Sequence, residues 1–391
     1  MILTWELAVW LCLGVLIYTY VGYPIIVYLA VKIKQAARSI SFSKKRPEVE
    51  DSQFEWPAIS ILIPAFNEAS VIRKKAENTL DLDYPKDRLE IVIVSDGSTD
   101  ETDAMLESYG EREVRFVKRP ERSGKTAVLN HLIPQLRGEI IILSDASGLI
   151  KKDALKKLVQ HYRNEEIGAV CGTYIIDNED HSLRGVTEKF YWQYETFLKR
   201  YESRLHSAIG AHGALYSFRS KLFVRLPEKA INDDFILPMT ILQQGFRVLY
   251  EPDARVEEHE STTLQGEFQR RTRINVGNFQ QIYLLRKLLS PKFGVIAFQF
   301  FSHKIIRILS PFIILALPFA TSLSNGFFYD AMLALQIAFF LAAFVGYIQE
   351  LIGLRYRFLY LPFYFMVGIF SAVAGFFRFL FGRQSLLWKK V

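Results

Sequence analysis

Cysteine is nearly missing from this 391-residue chain. Only Cys12 and Cys171 carry thiols, so neither a disulfide framework nor a cysteine-based zinc site is available. Internal repeats and low-complexity tracts are missing too, which removes repeat architectures from consideration. The chain is basic, with net charge +7 and a pI near 9.1, yet it has no nucleic-acid motif, and no nucleic acid is expected as a partner. Charge itself is scarce in two stretches. Residues 7–31 contain none, and residues 294–381 hold six basic residues (counting His303), one Asp and one Glu. Much of the basic surplus flanks these runs, where anionic lipid would attract it.

What is present instead is apolar surface. Half of the residues are hydrophobic and 14% are aromatic, Phe alone accounting for 31. The run from Leu7 to Ala30 exceeds the about 20 residues that a helix needs to cross hydrocarbon. A cleaved signal peptide would want a basic start and a shorter apolar core. Here the start carries Glu6, and the basic residues Lys32, Lys34, Arg38, Lys44, Lys45 and Arg46 come after the run. Positive charge stays on the cytoplasmic side, so residues 1–46 are expected to form an anchor with its N-terminus outside. Residues 47–263 would then be a cytoplasmic domain. Residues 264–293 are expected to form an amphipathic interface helix, with Leu264, Phe268, Val276, Phe279, Ile282 and Tyr283 on a membrane-hugging face and Arg270 and Arg273 opposite. Residues 294–391 would hold about three spans (305–323, 328–348 and 358–381), with 294–304 lying along the interface. The expected localisation is the inner membrane, multi-pass, in contact with the lipid bilayer. Parity places the C-terminus outside, although Arg355, Arg383, Lys389 and Lys390 pull the other way.

The middle segment alternates short apolar runs with helical patterns. Strands are expected at 58–63, 90–94, 114–117, 139–143, 168–174 and 246–250, with helices between them. That alternation implies an α/β fold with a mostly parallel sheet covered on both faces, and ligands bind at the carboxyl ends of such strands. Two runs end almost identically, EIVIVSDGSTD at 90–100 and EIIILSDASG at 139–148. Each sets an aspartate, Asp96 or Asp145, just past a strand.

The stretch RPERSGKT (119–126) lacks the first glycine of a phosphate-binding P-loop. Arg119 and Pro120 stand where the backbone would turn tightly around phosphate, which argues against an ATPase. Lys125 nonetheless offers a cation to a diphosphate near the same crevice. With Asp96, Asp145 and the Asp233-Asp234 pair, and with Arg270 and Arg273, it suggests divalent-metal and phosphate chemistry. Mg2+ commonly takes one or two carboxylates and completes its shell with substrate phosphate and water.

The ordered motifs carry a resemblance. PAFNE (64–68), SDGSTDET (95–102), SGKTAVLN (123–130), GAHGALYSFR (210–219), NDDF (232–235) and RRTRI (270–274) resemble, in sequence, the segments of a membrane-integrated glycosyltransferase of family 2. The branch is the cellulose-synthase-like one, which includes chitooligosaccharide and poly-N-acetylglucosamine synthases. That resemblance implies a GT-A fold flanked by transmembrane helices. It also implies inverting transfer from a nucleotide-diphosphate sugar to a growing polysaccharide or oligosaccharide at the cytoplasmic membrane face. Carried over by position, Pro64, Asn67, Glu68 and Asp96 would surround the nucleoside, and Lys125 and Asp145 would face the diphosphate. Asp145 with Ser147 would hold Mg2+ or Mn2+. Gly210, His212 and Gly213 would lie in the acceptor segment. Asp234 would be the general base beside Asp233, and Arg270 and Arg273 would neutralise the leaving group.

Two residues depart from the pattern. Ser147 replaces the second aspartate of Asp-x-Asp, leaving the ion to lean on Asp145, diphosphate and water, or on a further ligand such as His259. Ile274 replaces a tryptophan that accompanies processive synthesis. Two alternatives therefore stay open: a single-transfer enzyme with a polyprenyl- or lipid-linked acceptor, and an inactive nucleotide-binding membrane protein.

Overall fold

The structure is a computed structural model that describes residues 4–40, 55–109, 113–176, 183–258, 264–353 and 357–383. His259, Arg355 and the tail lysines Lys389 and Lys390 lie outside the described residues, as do Lys44, Lys45 and Arg46. Eight strands occur among the described residues: β1 (Ile59–Ala65), β2 (Leu89–Asp96), β3 (Arg115–Arg119), β4 (Ile140–Leu143), β5 (Leu149–Ile150), β6 (Ile167–Ile176), β7 (Tyr216–Arg219) and β8 (Arg247–Glu258). They form one sheet in the order β3-β2-β1-β4-β7-β6-β8-β5. The ladders β1–β2, β1–β4, β2–β3 and β6–β8 are parallel, whereas β4–β7, β6–β7 and β5–β8 are antiparallel. The sheet is thus mixed and mostly parallel, as expected.

The Ile- and Val-rich strands are buried because both faces are covered. Successive side chains alternate between two cores: Leu62, Val92, Val94, Ile141 and Leu143 join one, and Ile61, Ile63, Ile93, Ile140 and Ile142 join the other. Strands β5 and β7 were not anticipated. They have two and four residues, too short for a period-2 signal to emerge. β7 matters because it runs antiparallel to β4, pairing Leu143 with Tyr216. The segment entering β7, Gly210–Leu215, therefore reaches the same sheet edge at which Asp145 follows β4.

The helices are α1 (Trp5–Ile17), α2 (Tyr23–Ile40), α3 (Ile72–Leu80), α4 (Thr102–Glu107), α5 (Lys125–Leu132), α6 (Ala154–Val159), α7 (Leu183–Leu205), α8 (Asp233–Gln243), α9 (Leu264–Leu284), α10 (Val295–Gln299), α11 (Ile306–Ser322), α12 (Phe327–Leu351) and α13 (Arg357–Leu380). Among the described residues, four helical stretches are long and apolar enough to cross a membrane: Trp5–Ala37, Val295–Ser322, Phe327–Leu351 and Phe358–Leu380. Two expectations need correction here. The first C-terminal stretch begins at Val295, ten residues earlier than expected, because a π-helical turn at Phe300–Ile305 joins α10 to α11 without a break. The apolar stripe of α9 does not simply hug lipid. Val276 and Phe279 are buried, and the Phe279 ring packs on Phe312, Phe376 and Phe379 of α11 and α13. Tyr283 alone of that stripe is largely exposed, at 63%. On its other side α9 presses on the chain just before α8: a Cβ at Gly277 would lie 2.4 Å from Asn232 Oδ1.

Candidate active site

Helix α8 opens with Asp233 and Asp234 in its first turn, where the helix dipole favours negative charge. Pro238 lies inside α8 and lacks the N–H that would bind the carbonyl of Asp234. The Ala211 N–H takes that carbonyl instead, at 3.1 Å. The Gly213 N–H donates to Asp234 Oδ2 at 3.0 Å. A proline in the helix thus ties the Gly210–Gly213 segment to the aspartate pair. Lys199 of α7 secures it from behind, donating to the carbonyls of Gly210 and Ala211 at 3.2 and 3.0 Å.

Asp145 arrives from the opposite direction. Buried Lys75 pins its loop by donating to Ser144 Oγ at 2.7 Å and to the Gly148 carbonyl. Lys125, at the start of α5, donates to Asp145 Oδ1 at 2.8 Å and lies 3.5 Å from Asp233 Oδ2. All of this converges at Gly213. A Cβ there would sit 3.2 Å from Asp145 Oδ2, 3.4 Å from Asp234 Oδ2 and 3.7 Å from Lys125 Nζ. Glycine leaves that point free.

Burial, then the charge of Asp233, pushes the Asp234 carboxyl up to about 6, and burial also raises Asp233. Burial works against charge on Asp145 as well, but Lys125 outweighs it and holds the carboxyl below its ordinary value. On Lys125 burial is likewise overcome, by Asp145 and Asp233, and its pKa is raised. One carboxylate is therefore kept ionised while another is poised to take up a proton, a division suited to acid–base work.

The sequence-derived residues divide. Pro64, Glu68, Lys125, Asp145, Ser147, His212, Gly213, Asp233, Asp234, Arg270 and Arg273 line one crevice of about 1790 Å³. The Arg273 side chain makes no hydrogen bond or ion pair with another described residue, so its guanidinium is available. Arg270 reaches the crevice but is held by buried Glu267 at 2.9 and 3.2 Å. Burial opposes the Glu267 charge, yet its bonds to Arg270 and Arg271 draw it down to about 2.

Asp96, Asn67 and Gly210 do not line the crevice. Asp96 is fully buried, and its oxygens accept from Ser123 N and Oγ and from Gly124 N at 2.7–3.1 Å. Contact with a nucleobase would require those bonds to be exchanged. Asn67 adopts φ 56° and exchanges hydrogen bonds with Thr99. Gly210, at φ 80°, packs against Phe235. His212 stacks on Tyr174 at 4.5 Å and meets Trp192 edge-on at 4.4 Å. Burial lowers its pKa to about 3, so it is neutral at physiological pH.

Among the described residues no group of three or more His, Cys, Asp or Glu could hold a metal ion. Asp145 and Ser147 supply one carboxylate and one hydroxyl. That set fits an ion whose remaining shell comes from phosphate and water, and does not make a cage by itself.

Sequence reasoning missed Lys75, Lys199 and Glu267, which bring no recognisable motif. It also missed His303, Lys304 and Arg307, which line the same crevice from the Val295–Ser322 stretch. Their charge inside an apolar run was legible, but His303 and Lys304 fall in the stretch expected along the interface and Arg307 in the expected span 305–323, so nothing tied them to the site.

A sequence model described as Glycosyl transferase family 2 matches residues 60–225. The chain is 29% identical over 282 residues to Probable glycosyltransferase YdaM of Bacillus subtilis (strain 168), covering 69% of this chain and 64% of that protein. It is 27% identical over 259 residues to the poly-beta-1,6-N-acetyl-D-glucosamine synthase of Staphylococcus aureus (strain COL), covering 65% and 61%. It is 33% identical over 138 residues to the beta-monoglucosyldiacylglycerol synthase of Nostoc sp. (strain PCC 7120 / SAG 25.82 / UTEX 2576), covering 34% and 30%. The alignments span less than two thirds of each of these relatives. Among solved structures, the mannosyltransferase PcManGT from Pyrobaculum calidifontis, in complex with GDP-Man and Mn2+, superposes with a TM-score of 0.70 at 22% identity, covering 96% of this chain and 100% of that one. The likeness in fold thus takes in the apolar helices along with the sheet. Residues 60–225 are thus a glycosyl transferase family 2 domain.

Proposed function

We propose that the protein is an inverting glycosyltransferase that moves a sugar from a nucleotide-diphosphate donor to a glycan acceptor at the cytoplasmic face of the inner membrane. The observation that carries the reading is the meeting of Asp145, Asp234 and Lys125 around Gly213, with unengaged Arg273 in the same crevice. An acceptor hydroxyl beside Asp234 gives up its proton to that carboxylate as its oxygen attacks the anomeric carbon in line. Displacement in a single step inverts the configuration. Lys125 and Arg273 stabilise the charge that develops on the departing diphosphate, the form of catalysis in which preorganised charge contributes most. Asp145 and Ser147 would hold Mg2+ or Mn2+ with the diphosphate, and the ion supplies further neutralisation of the leaving group. Neutral His212, between Tyr174 and Trp192, offers an aromatic wall to the acceptor.

The GDP-Man bound in the mannosyltransferase of similar fold supports a donor of this class, and the relatives' names span products from a polysaccharide to a glucosyldiacylglycerol. The experiment is to purify the full chain in detergent and assay sugar transfer and nucleoside diphosphate release with a panel of nucleotide sugars. Release from one donor, dependent on Asp145 and Asp234, is expected. No release from any donor would contradict the reading.

A further inference from the structure

Ionisable side chains inside an apolar span are costly, and they turn toward partners or toward a function. The Val295–Ser322 span carries three: His303, Lys304 and Arg307. Two are matched by helix α7. His303 Nδ1 lies 2.7 Å from Glu202 Oε1, which also accepts from the Tyr23 hydroxyl. Arg307 pairs with Glu195. Lys304 differs. Its side chain makes no hydrogen bond or ion pair with another described residue, and its ammonium lies 5.1 Å from the centre of the Phe235 ring, next in sequence to Asp234. It sits on the π-helical turn Phe300–Ile305, a distortion that recurs at functional positions.

The charges around it leave a surplus. Glu195 is engaged by Arg307 and Glu202 by His303 and Tyr23, and Lys199 is spent on backbone carbonyls, which leaves the Lys304 ammonium over. The same crevice is lined by Ile308, Pro311, Phe339, Leu361, Phe365 and Ile369 of the apolar helices, with Ser310, Ser371 and Arg378 among them. A cation with no partner among the described residues thus stands where an apolar groove meets the general base.

We propose that Lys304 seats a phosphate carried on a lipid, and that the acceptor is a saccharide joined to a lipid through that phosphate. The lipid lies in the apolar groove and the sugar hydroxyl reaches Asp234. This rests on the glycosyl-transfer reading and names its acceptor class. In the transfer, the hydroxyl oxygen bonds to the anomeric carbon of the donor sugar. The bond from that carbon to the diphosphate oxygen breaks with its electron pair kept by the nucleoside diphosphate, and the proton goes to Asp234. A phosphate acting as the nucleophile would need no base, so Asp234 favours the hydroxyl.

The test is equilibrium binding to the full-length chain in neutral detergent, monitored by tryptophan fluorescence, with farnesyl phosphate, farnesol and inorganic phosphate as probes. Wild type is expected to bind farnesyl phosphate at least about tenfold more tightly than farnesol, the scale of one charge-assisted hydrogen bond. Lys304→Gln should abolish that preference and Lys304→Arg should keep it. Equal binding of the two prenyl probes by wild type, or an undiminished preference in Lys304→Gln, overturns the proposal. So does displacement of farnesyl phosphate by equimolar inorganic phosphate, which marks a free-anion site, or by phosphatidylglycerol, which marks a structural lipid. The readout needs no turnover. Sugar transfer without the phosphate preference therefore sinks the Lys304 assignment alone, whereas the preference without transfer from any donor sinks the catalytic reading.

Discussion

Asp96 and Asp145 stand in nearly the same sequence, a run of branched apolar residues leading into Ser-Asp-small-Ser, and have opposite fates. Asp96 has no exposed surface and is saturated by Ser123 and Gly124. The Asp145 side chain is 39% exposed, faces the crevice and has a lysine as its partner. The neighbours that meet each strand end decide the difference. β2 ends beside the loop that leads into α5, whose backbone N–H groups close on Asp96. β4 ends beside the antiparallel β7, whose entry offers Gly213 and empty space. Carboxylates of one sequence type become a loop anchor in one case and a crevice-facing partner of a lysine in the other.

The sharpest way to break this contrast is at the base. Asp234→Asn should cut turnover by about 10²–10⁴-fold, as loss of a general base does, with donor affinity unchanged by titration calorimetry. The pH profile sharpens the same point. Burial and Asp233 raise the Asp234 pKa to about 6, so the base is ionised and competent above that pH and protonated below it. Turnover should fall about tenfold for each unit of pH below about 6 and level off above it. A flat profile through that range would remove Asp234 from the role.

The arginines come next. Arg273→Ala should cost about 10²-fold in kcat/KM, the scale of losing one preorganised charge at the leaving group. Arg270→Ala should cost clearly less, because Glu267 already holds that guanidinium. Equal losses, measured on the same donor, would mean that Arg270 leaves Glu267 when substrate binds.

The smallest effects separate the two aspartates. Asp96→Ala strips the acceptor from the buried Gly124 N–H and from two partly buried Ser123 donors and should lower stability by about 2 kcal/mol, read as a thermal shift of the detergent-solubilised protein. Asp145→Ala removes a partly exposed partner of Lys125 and should shift stability by less than about 1 kcal/mol, while donor-dependent turnover is lost. The reverse pattern would exchange the roles assigned to them.

Much of this was legible in the sequence. The long apolar strands, the catalytic-side aspartates and the helix that opens with Asp233-Asp234 each left a local pattern. The hidden features depended on distant contacts. Strand β7 is four residues long and is a strand only because β4 and β6 pair with it on either side. The burial of Asp96 depends on a loop 27 residues away in sequence. The inward turn of Val276 and Phe279 depends on α13, which no periodicity within α9 can report. Lys304 was visible as a charge, but only the pairing of its neighbours with Glu195 and Glu202 reveals that it is left over.

The proposed reaction is a single displacement assisted by Asp234 in the crevice around Gly213. Proton NMR of the wild-type reaction, recorded in real time on the accepted nucleotide sugar, reads the anomeric configuration of the first-formed glycoside. Single displacement predicts a configuration opposite to that of the donor, β from an α-linked nucleotide sugar. A first product that retains the donor configuration would contradict it.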